Sequence, residues 1–353
     1  MSNLNLSLDP SNQKHHEDLW EKIEQKNYIQ IENFWKGVHF YRNHAFVPVQ
    51  QEKKIIKTLY GATLSVYGAE GGKPIFIIPS FINNASILDL YEDVSLIHYL
   101  TKNGFQVFCL DWGEPDKTHI DFELVDYFEK ILIFFLHEIN HISTQNPIVM
   151  GYCMGGIFAL LAGQFAPDHV DKIILLAPPF DFHVPNLEYD STLLEVWLEQ
   201  SLKGNNHIPK ECIPYVFFIK NPFRIIQKYA SFGPSYSDDR QKLFVSIEDW
   251  LNDPIALARK VGIEVIDQWF LRNALKNQEW IFGGIKVDLS LIKTKVLLVS
   301  PLKDSVIPQN SNLGLTSILP NVILSTPNLG HVGIVASSKA KETFWPSLVS
   351  FMQ

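Results

Sequence analysis

Residues 149–167 read VMGYCMGGIFALLAGQFAP. An apolar run reaches Gly151-Tyr152-Cys153-Met154-Gly155-Gly156, and a helix-like stretch follows. The pattern predicts a buried strand, a sharp turn with Cys153 at its apex, and a helix starting near Met154. Glycines two residues before and after the apex suit a strained turn that leaves no room for side chains. A bare Gly-x-Cys-x-Gly also describes a core cysteine beside a glycine turn, since free cysteine is a common core residue. The sequence on either side decides between the two.

Upstream, KPIFIIPS (73–80) and FQVFCLDW (105–112) read as strands buried on both faces. A helix is expected over 86–103 and another over 122–142. PIVMGY (147–152) is the strand entering the turn, and DKIILLAP (171–178) is the next strand. Strand–helix alternation of this kind predicts a doubly wound, mostly parallel sheet. The alternation stops at 180–285, which is rich in aromatics and proline and reads as an inserted, mostly helical cap. The sheet resumes with TKVLLVSP (294–301) and NVILST (321–326), and SKAKETFWPSLVSFM closes the chain as a helix. Residues 1–14 read as a disordered lead. A helix is expected from Asp18 to Tyr41, with Trp20, Ile23, Ile31, Phe34 and Trp35 as anchors. The expected layout is an N-terminal extension at 1–45, a core at 46–179 and 286–353, and a cap at 180–285. Strand, cysteine turn and helix inside such a sheet amount to the α/β-hydrolase fold.

The chain has 353 residues, 46% of them hydrophobic, which is enough to bury a large core. A net charge of −8 gives no nucleic-acid footprint. Cys109, Cys153 and Cys212 are too few and too scattered for a disulfide framework or a zinc site, and suit a reducing cytoplasm. The polar N-terminus lacks the apolar core of a secretory leader. The richest apolar window, ILIFFLHEI, is too short to span a bilayer. No cofactor or metal is implied. The histidines at 15, 16, 119, 137, 141, 169, 183 and 207 show no metal-ligand spacing, and Gly71-Gly72 is a turn, not a phosphate loop.

In this fold the nucleophile is followed by an acid and then a histidine. Asp304 follows VLLVSPLK, and His331 lies in Asn328-Leu329-Gly330-His331-Val332-Gly333. Singly, Asp304 reads as a helix N-cap and His331 as a loop histidine. In order, after strand-like runs, Cys153, Asp304 and His331 read as a catalytic triad. A free thiol has a pKa of about 8.5. His331 would take its proton, and Asp304 would orient the imidazole. The oxyanion donors are expected to be the backbone amides of Met154 and of Phe81 or Ile82. Cys109 reads as core and Cys212 as unpaired. Asp111-Trp112-Gly113-Glu114-Pro115-Asp116 reads as a structured turn.

The set of motifs resembles the polyhydroxyalkanoate synthases, especially the short class III type. The pieces are PSFINNASILDL (79–90), DWGEPD (111–116), GYCMGG (151–156), APPFDFH (177–183), FVSIEDWLNDP (244–254), DQWFLRNAL (267–275), GGIKVDLSLIKTKVLLVSPLKDSVIP (283–308) and LGHVGIVAS (329–337). The resemblance covers most of 50–350. Phe180 stands where the family pattern has tryptophan. The resemblance implies polymerisation of (R)-3-hydroxyacyl-CoA with release of CoA and growth of a polyester on Cys153, with Asp304 and His331 assisting. It also implies a homodimer, a second non-catalytic synthase subunit, and a cytoplasmic location at the surface of polyester granules. Two alternatives stay open on the residues: a cysteine thioesterase or acyltransferase without chain growth, and a non-catalytic granule-associated subunit.

Overall fold

The structure is a computed structural model that describes residues 13–353 apart from 186, 188 and 221, and the side chains of 13–27 and 217–222 are outside the description. Residues 1–12 of the expected lead, and the side chains of Trp20, Ile23, Phe217 and Phe218, therefore lie outside the described residues. No described helix is long and apolar enough to cross a membrane.

The chain divides into two compact units, 1–47 with 217–245, and 48–216 with 246–353. The expected 180–285 insertion is thus shared between them. In the first unit the helix Gln13–Arg42 packs on the helix Pro222–Ser231. Phe34 and Tyr41 meet Tyr229 with ring centres 5.9 and 5.8 Å away. Phe232 stacks on Phe244 at 3.8 Å. Two expected anchors are corrected here: Ile31 and Trp35 are 53% and 61% exposed, because the packed stripe of the helix runs through Phe34, Phe40 and Tyr41 instead.

The second unit is built on an eight-stranded sheet. Its strands are β1 (Lys54–Leu59), β2 (Ala62–Tyr67), β3 (Lys73–Ile78), β4 (Phe105–Asp111), β5 (Ile148–Tyr152), β6 (Lys172–Leu176), β7 (Lys295–Val299) and β8 (Val322–Ser325). The order is β1-β2-β4-β3-β5-β6-β7-β8, and only the β1/β2 and β2/β4 pairings are antiparallel. This is the expected doubly wound sheet of the α/β-hydrolase fold. The central strands β3, β5 and β6 are buried almost throughout, which is why their sequences are continuous apolar runs rather than alternations.

Three expected helices are interrupted. The 86–103 stretch forms short turns at Ala85–Leu88 and Glu92–Val94 and a helix at Leu96–Lys102. Asp89 breaks it by accepting hydrogen bonds from Ser95 Oγ (2.6 Å) and the Gln51 amide (3.1 Å). The 122–142 helix contains a π-helical segment, Tyr127–Ile133, that turns Tyr127, Phe128, Ile131 and Leu132 inward together. The closing helix is split at Phe344 into Ser338–Thr343 and Trp345–Met352. The end of that helix is tied to the sheet. Lys73 Nζ donates to the Met352 carbonyl (2.8 Å), and Lys172 Nζ to those of Phe351 and Met352 (3.0 and 3.1 Å). Both lysines begin strands, so they lie on the sheet edge opposite Cys153. The 180–285 residues of this unit are mostly helical, with a local core of Leu194, Val216 and Ile266 under Trp197 and Phe270.

Candidate active site

Cys153 sits between β5 and the helix Gly155–Phe165 with a φ of 54°, in the left-handed region that a residue with a side chain rarely adopts. The strain is held by packing. A Cβ on Gly155 would collide with the Ile78 carbonyl, and one on Gly151 with the Gly155 carbonyl. The Cys153 amide donates to the Leu176 carbonyl at the end of β6 (2.9 Å). The apex is therefore wedged between β3 and β6, with its side chain at the C-terminal edge of the sheet.

Asp304 comes from the loop after β7 and His331 from the loop after β8. His331 Nδ1 donates to Asp304 Oδ2 at 2.7 Å. Asp304 Oδ1 accepts from the amides of Val306 and Ile307 at 2.8 and 2.7 Å, so the carboxylate cannot swing away. Cys153 lies close enough to His331 for its sulfur to act on the imidazole electrostatically. The three residues expected from sequence order are thus brought together, and each is 8% exposed. Burial by itself would lower the His331 pKa. The charges of Cys153 and Asp304, and the hydrogen bond to Asp304, outweigh burial and hold the imidazole well above its ordinary range.

The amides expected to face an oxyanion are also close to the turn. Phe81 and Ile82 follow β3, with Phe81 packed edge-on against Phe158 of the helix Gly155–Phe165 at 5.8 Å. Among the described residues, the amides of Phe81, Ile82 and Met154 donate to no group of the protein.

Two contributors were not legible from sequence. Tyr152, one residue before the nucleophile, lays its ring 5.2 Å from that of His331 and donates its hydroxyl to the His331 carbonyl (3.4 Å). Burial pushes its phenol pKa well up, so it stays a neutral donor. Trp112, read as part of a turn, donates its indole N–H to the Pro79 carbonyl (3.1 Å). The Asp111 carboxylate does form the expected turn, accepting from the Gly113 amide (3.1 Å).

Cys109 is buried in β4, and burial, chiefly, raises its thiol pKa far above the usual range. Cys212 is half-buried and free. The rings of His137 and His169 lie 4.4 Å apart in a hollow of about 430 Å³ at the far end of the helix Gly155–Phe165, which shares no residue with the Cys153 site. Among the described residues no group of three or more metal-ligating side chains gathers.

Comparison with known proteins places this geometry in context. A family model described as the α/β hydrolase fold matches residues 73–334. The poly(3-hydroxyalkanoate) polymerase subunit of Allochromatium vinosum is 29% identical, over 78% of this chain and 79% of its own. Those of Thiocystis violacea and Synechocystis are 26% and 28% identical, over 85% and 79% of this chain and 85% and 77% of theirs. Among solved structures, an esterase from Exiguobacterium antarcticum superposes with a TM-score of 0.53 at 17% identity, covering 85% of this chain and 99% of its own. An α/β hydrolase fold protein from Chitinophaga pinensis gives 0.51 at 18%, covering 88% and 98%.

Proposed function

The chain belongs to the α/β hydrolase fold family and, within it, to the polyhydroxyalkanoate synthases, and on that footing we propose that it polymerises (R)-3-hydroxyacyl-CoA through an acyl thioester on Cys153. One observation carries the reading: the fold gathers Cys153, at the strained turn, with His331 and the Asp304 carboxylate that holds it. The substrate, the polyester product and the roles of the three side chains are all part of the proposal.

In the first step His331 takes the Cys153 proton. The sulfur attacks the thioester carbonyl of the acyl-CoA, and the oxyanion sits on the amides of Met154 and of Phe81 or Ile82. The carbon–sulfur bond to CoA breaks, and the imidazolium returns its proton to the departing thiolate. One thioester replaces another, so the acyl group keeps its activation, whereas an oxoester on serine would lose it. In the second step His331 removes the proton of an incoming 3-hydroxyl. That oxygen attacks the Cys153 thioester, an ester bond forms, and the Cys153 sulfur leaves and is reprotonated. Water in the site would divert the acyl-enzyme to hydrolysis, and the low exposure of Cys153 and His331 supports its exclusion.

The test is purified protein with (R)-3-hydroxybutyryl-CoA, following CoA release and turbidity together. Both should rise. CoA release without turbidity would point to a thioesterase or simple acyltransferase instead, and the absence of both signals would overturn the proposal. A second, non-catalytic subunit and a homodimer remain part of the same proposal, tested by adding a candidate subunit and by sedimentation of the chain alone.

A further inference from the structure

The loop carrying the Phe81 and Ile82 amides is gripped from two sides. Trp112 Nε1 holds the Pro79 carbonyl (3.1 Å). From the other side, the Ile255 amide donates to the Ile82 carbonyl (2.9 Å), and Trp250 Nε1 donates to the Asn84 carbonyl (2.9 Å). Asn84 Nδ2 returns the contact, donating to the Asp253 carbonyl (3.1 Å) and to its carboxylate Oδ2 (3.0 Å). Asn83 and Pro254 form an isolated bridge between the same strands of chain. The two grips are joined, since the Ala256 amide donates to Glu114 Oε2 (3.1 Å) two residues past Trp112.

Each held carbonyl fixes a peptide plane, because the peptide unit is rigid. Pro79, Ile82 and Asn84 fix the planes 79–80, 82–83 and 84–85. The donor planes, 80–81 and 81–82, lie between the first two and have no acceptor of their own within the protein. Their direction is set by the neighbours. Hydrogen bonds weaken steeply as they leave linearity, so a small rotation of these planes matters.

We infer that Asn84, through its clasp on Trp250 and Asp253, is a positioning residue for the oxyanion site, so that the 250–256 segment sets how well a tetrahedral oxyanion is held. The inference rests on the reading that Cys153 is acylated. Asn84 allows a clean test because its two side-chain atoms do different jobs. Oδ1 accepts from the Ser86 amide (3.0 Å) and starts the turn that follows, while Nδ2 makes the clasp. Asn84→Asp keeps the first and loses the second.

The experiment compares two reactions at Cys153. Acylation by p-nitrophenyl acetate passes through an oxyanion and is read as the p-nitrophenol burst. Alkylation by iodoacetamide is displacement at a saturated carbon and forms no oxyanion. Asn84→Asp should slow the burst by about 10- to 100-fold, somewhat less than deleting a donor outright, and leave alkylation unchanged. The double change Asn84→Asp with Asp253→Asn restores an amide–carboxylate pair with its ends exchanged and should recover most of the burst. An unchanged burst in Asn84→Asp, equal slowing of both reactions, or no recovery in the double variant would each overturn the inference. A wild-type chain that gives no burst would overturn the acylation reading itself and the inference with it. A wild-type burst without polymer formation would remove only the polymerase reading and leave this test intact.

Discussion

At the level of single residues, the proposed chemistry turns on the thiol of Cys153. Cys153→Ala should abolish CoA release, and Cys153→Ser should leave at most a trace. Retention of a tenth of wild-type turnover would mean a loss of only about 1.4 kcal/mol, too little for a nucleophile. The raised imidazole pKa has a sign that can be checked. Anionic neighbours favour imidazolium, so removing either charge must lower the pKa. Titration of His331 by NMR should give a lower value in Cys153→Ala and in Asp304→Asn than in the wild type, and an unchanged value would show that burial alone governs it. Asp304→Asn should also slow ester formation more than acylation in single-turnover labelling, because a hydroxyl needs a well-oriented base more than a thiol does. That Cys153, Asp304 and His331 would come together was legible in the sequence because fold topology dictates their order along the chain. Tyr152 and Trp112 were not, because their partners, the His331 and Pro79 carbonyls, lie 179 and 33 residues away.

Among the elements, the strands of the sheet were the clearest reading, since a strand buried on both faces must be apolar throughout. Helix continuity was less legible. Periodicity over 122–142 and 86–103 fits a helix, but the π-helical widening at Tyr127–Ile133 and the Asp89–Ser95 contact are settled by tertiary packing. One helix carries a titratable strain. Glu264, in Arg259–Glu264, accepts from the Leu124 amide (2.9 Å). Its pKa is raised, chiefly by burial, with the Leu124 hydrogen bond opposing and nearby carboxylates adding to the rise. A carboxyl whose folded pKa is raised costs stability when ionised. The cost is full above the folded pKa and vanishes below the ordinary value of about 4.3. Glu264→Gln keeps an acceptor for Leu124 and cannot ionise. Its melting temperature should exceed that of the wild type near neutral pH, and the gap should close on acidification. A gap independent of pH would place the effect in packing instead of charge.

For the whole molecule, the sequence showed where strand–helix alternation breaks, but not that 217–245 would group with the N-terminal helix, a choice made by long-range aromatic packing. Cys153 and His331 are 8% exposed, and we propose that an acyl-CoA reaches them through a movement of the chain. We expect the 180–285 segment to supply it. Hydrogen exchange with a non-hydrolysable acyl-CoA analogue should change protection within 180–285, and change confined to the 294–335 loops would make that segment a static insertion. The lysine grip on the last helix bears on how this catalyst could be handled. Lys73 and Lys172 hold the carbonyls of Phe351 and Met352 at the sheet edge away from Cys153. A resin or scaffold attached at Gln353 would hold the sheet by the edge opposite Cys153. Amine-directed coupling would lose that fixed orientation and would consume the same ammonium groups that keep the tether point in place.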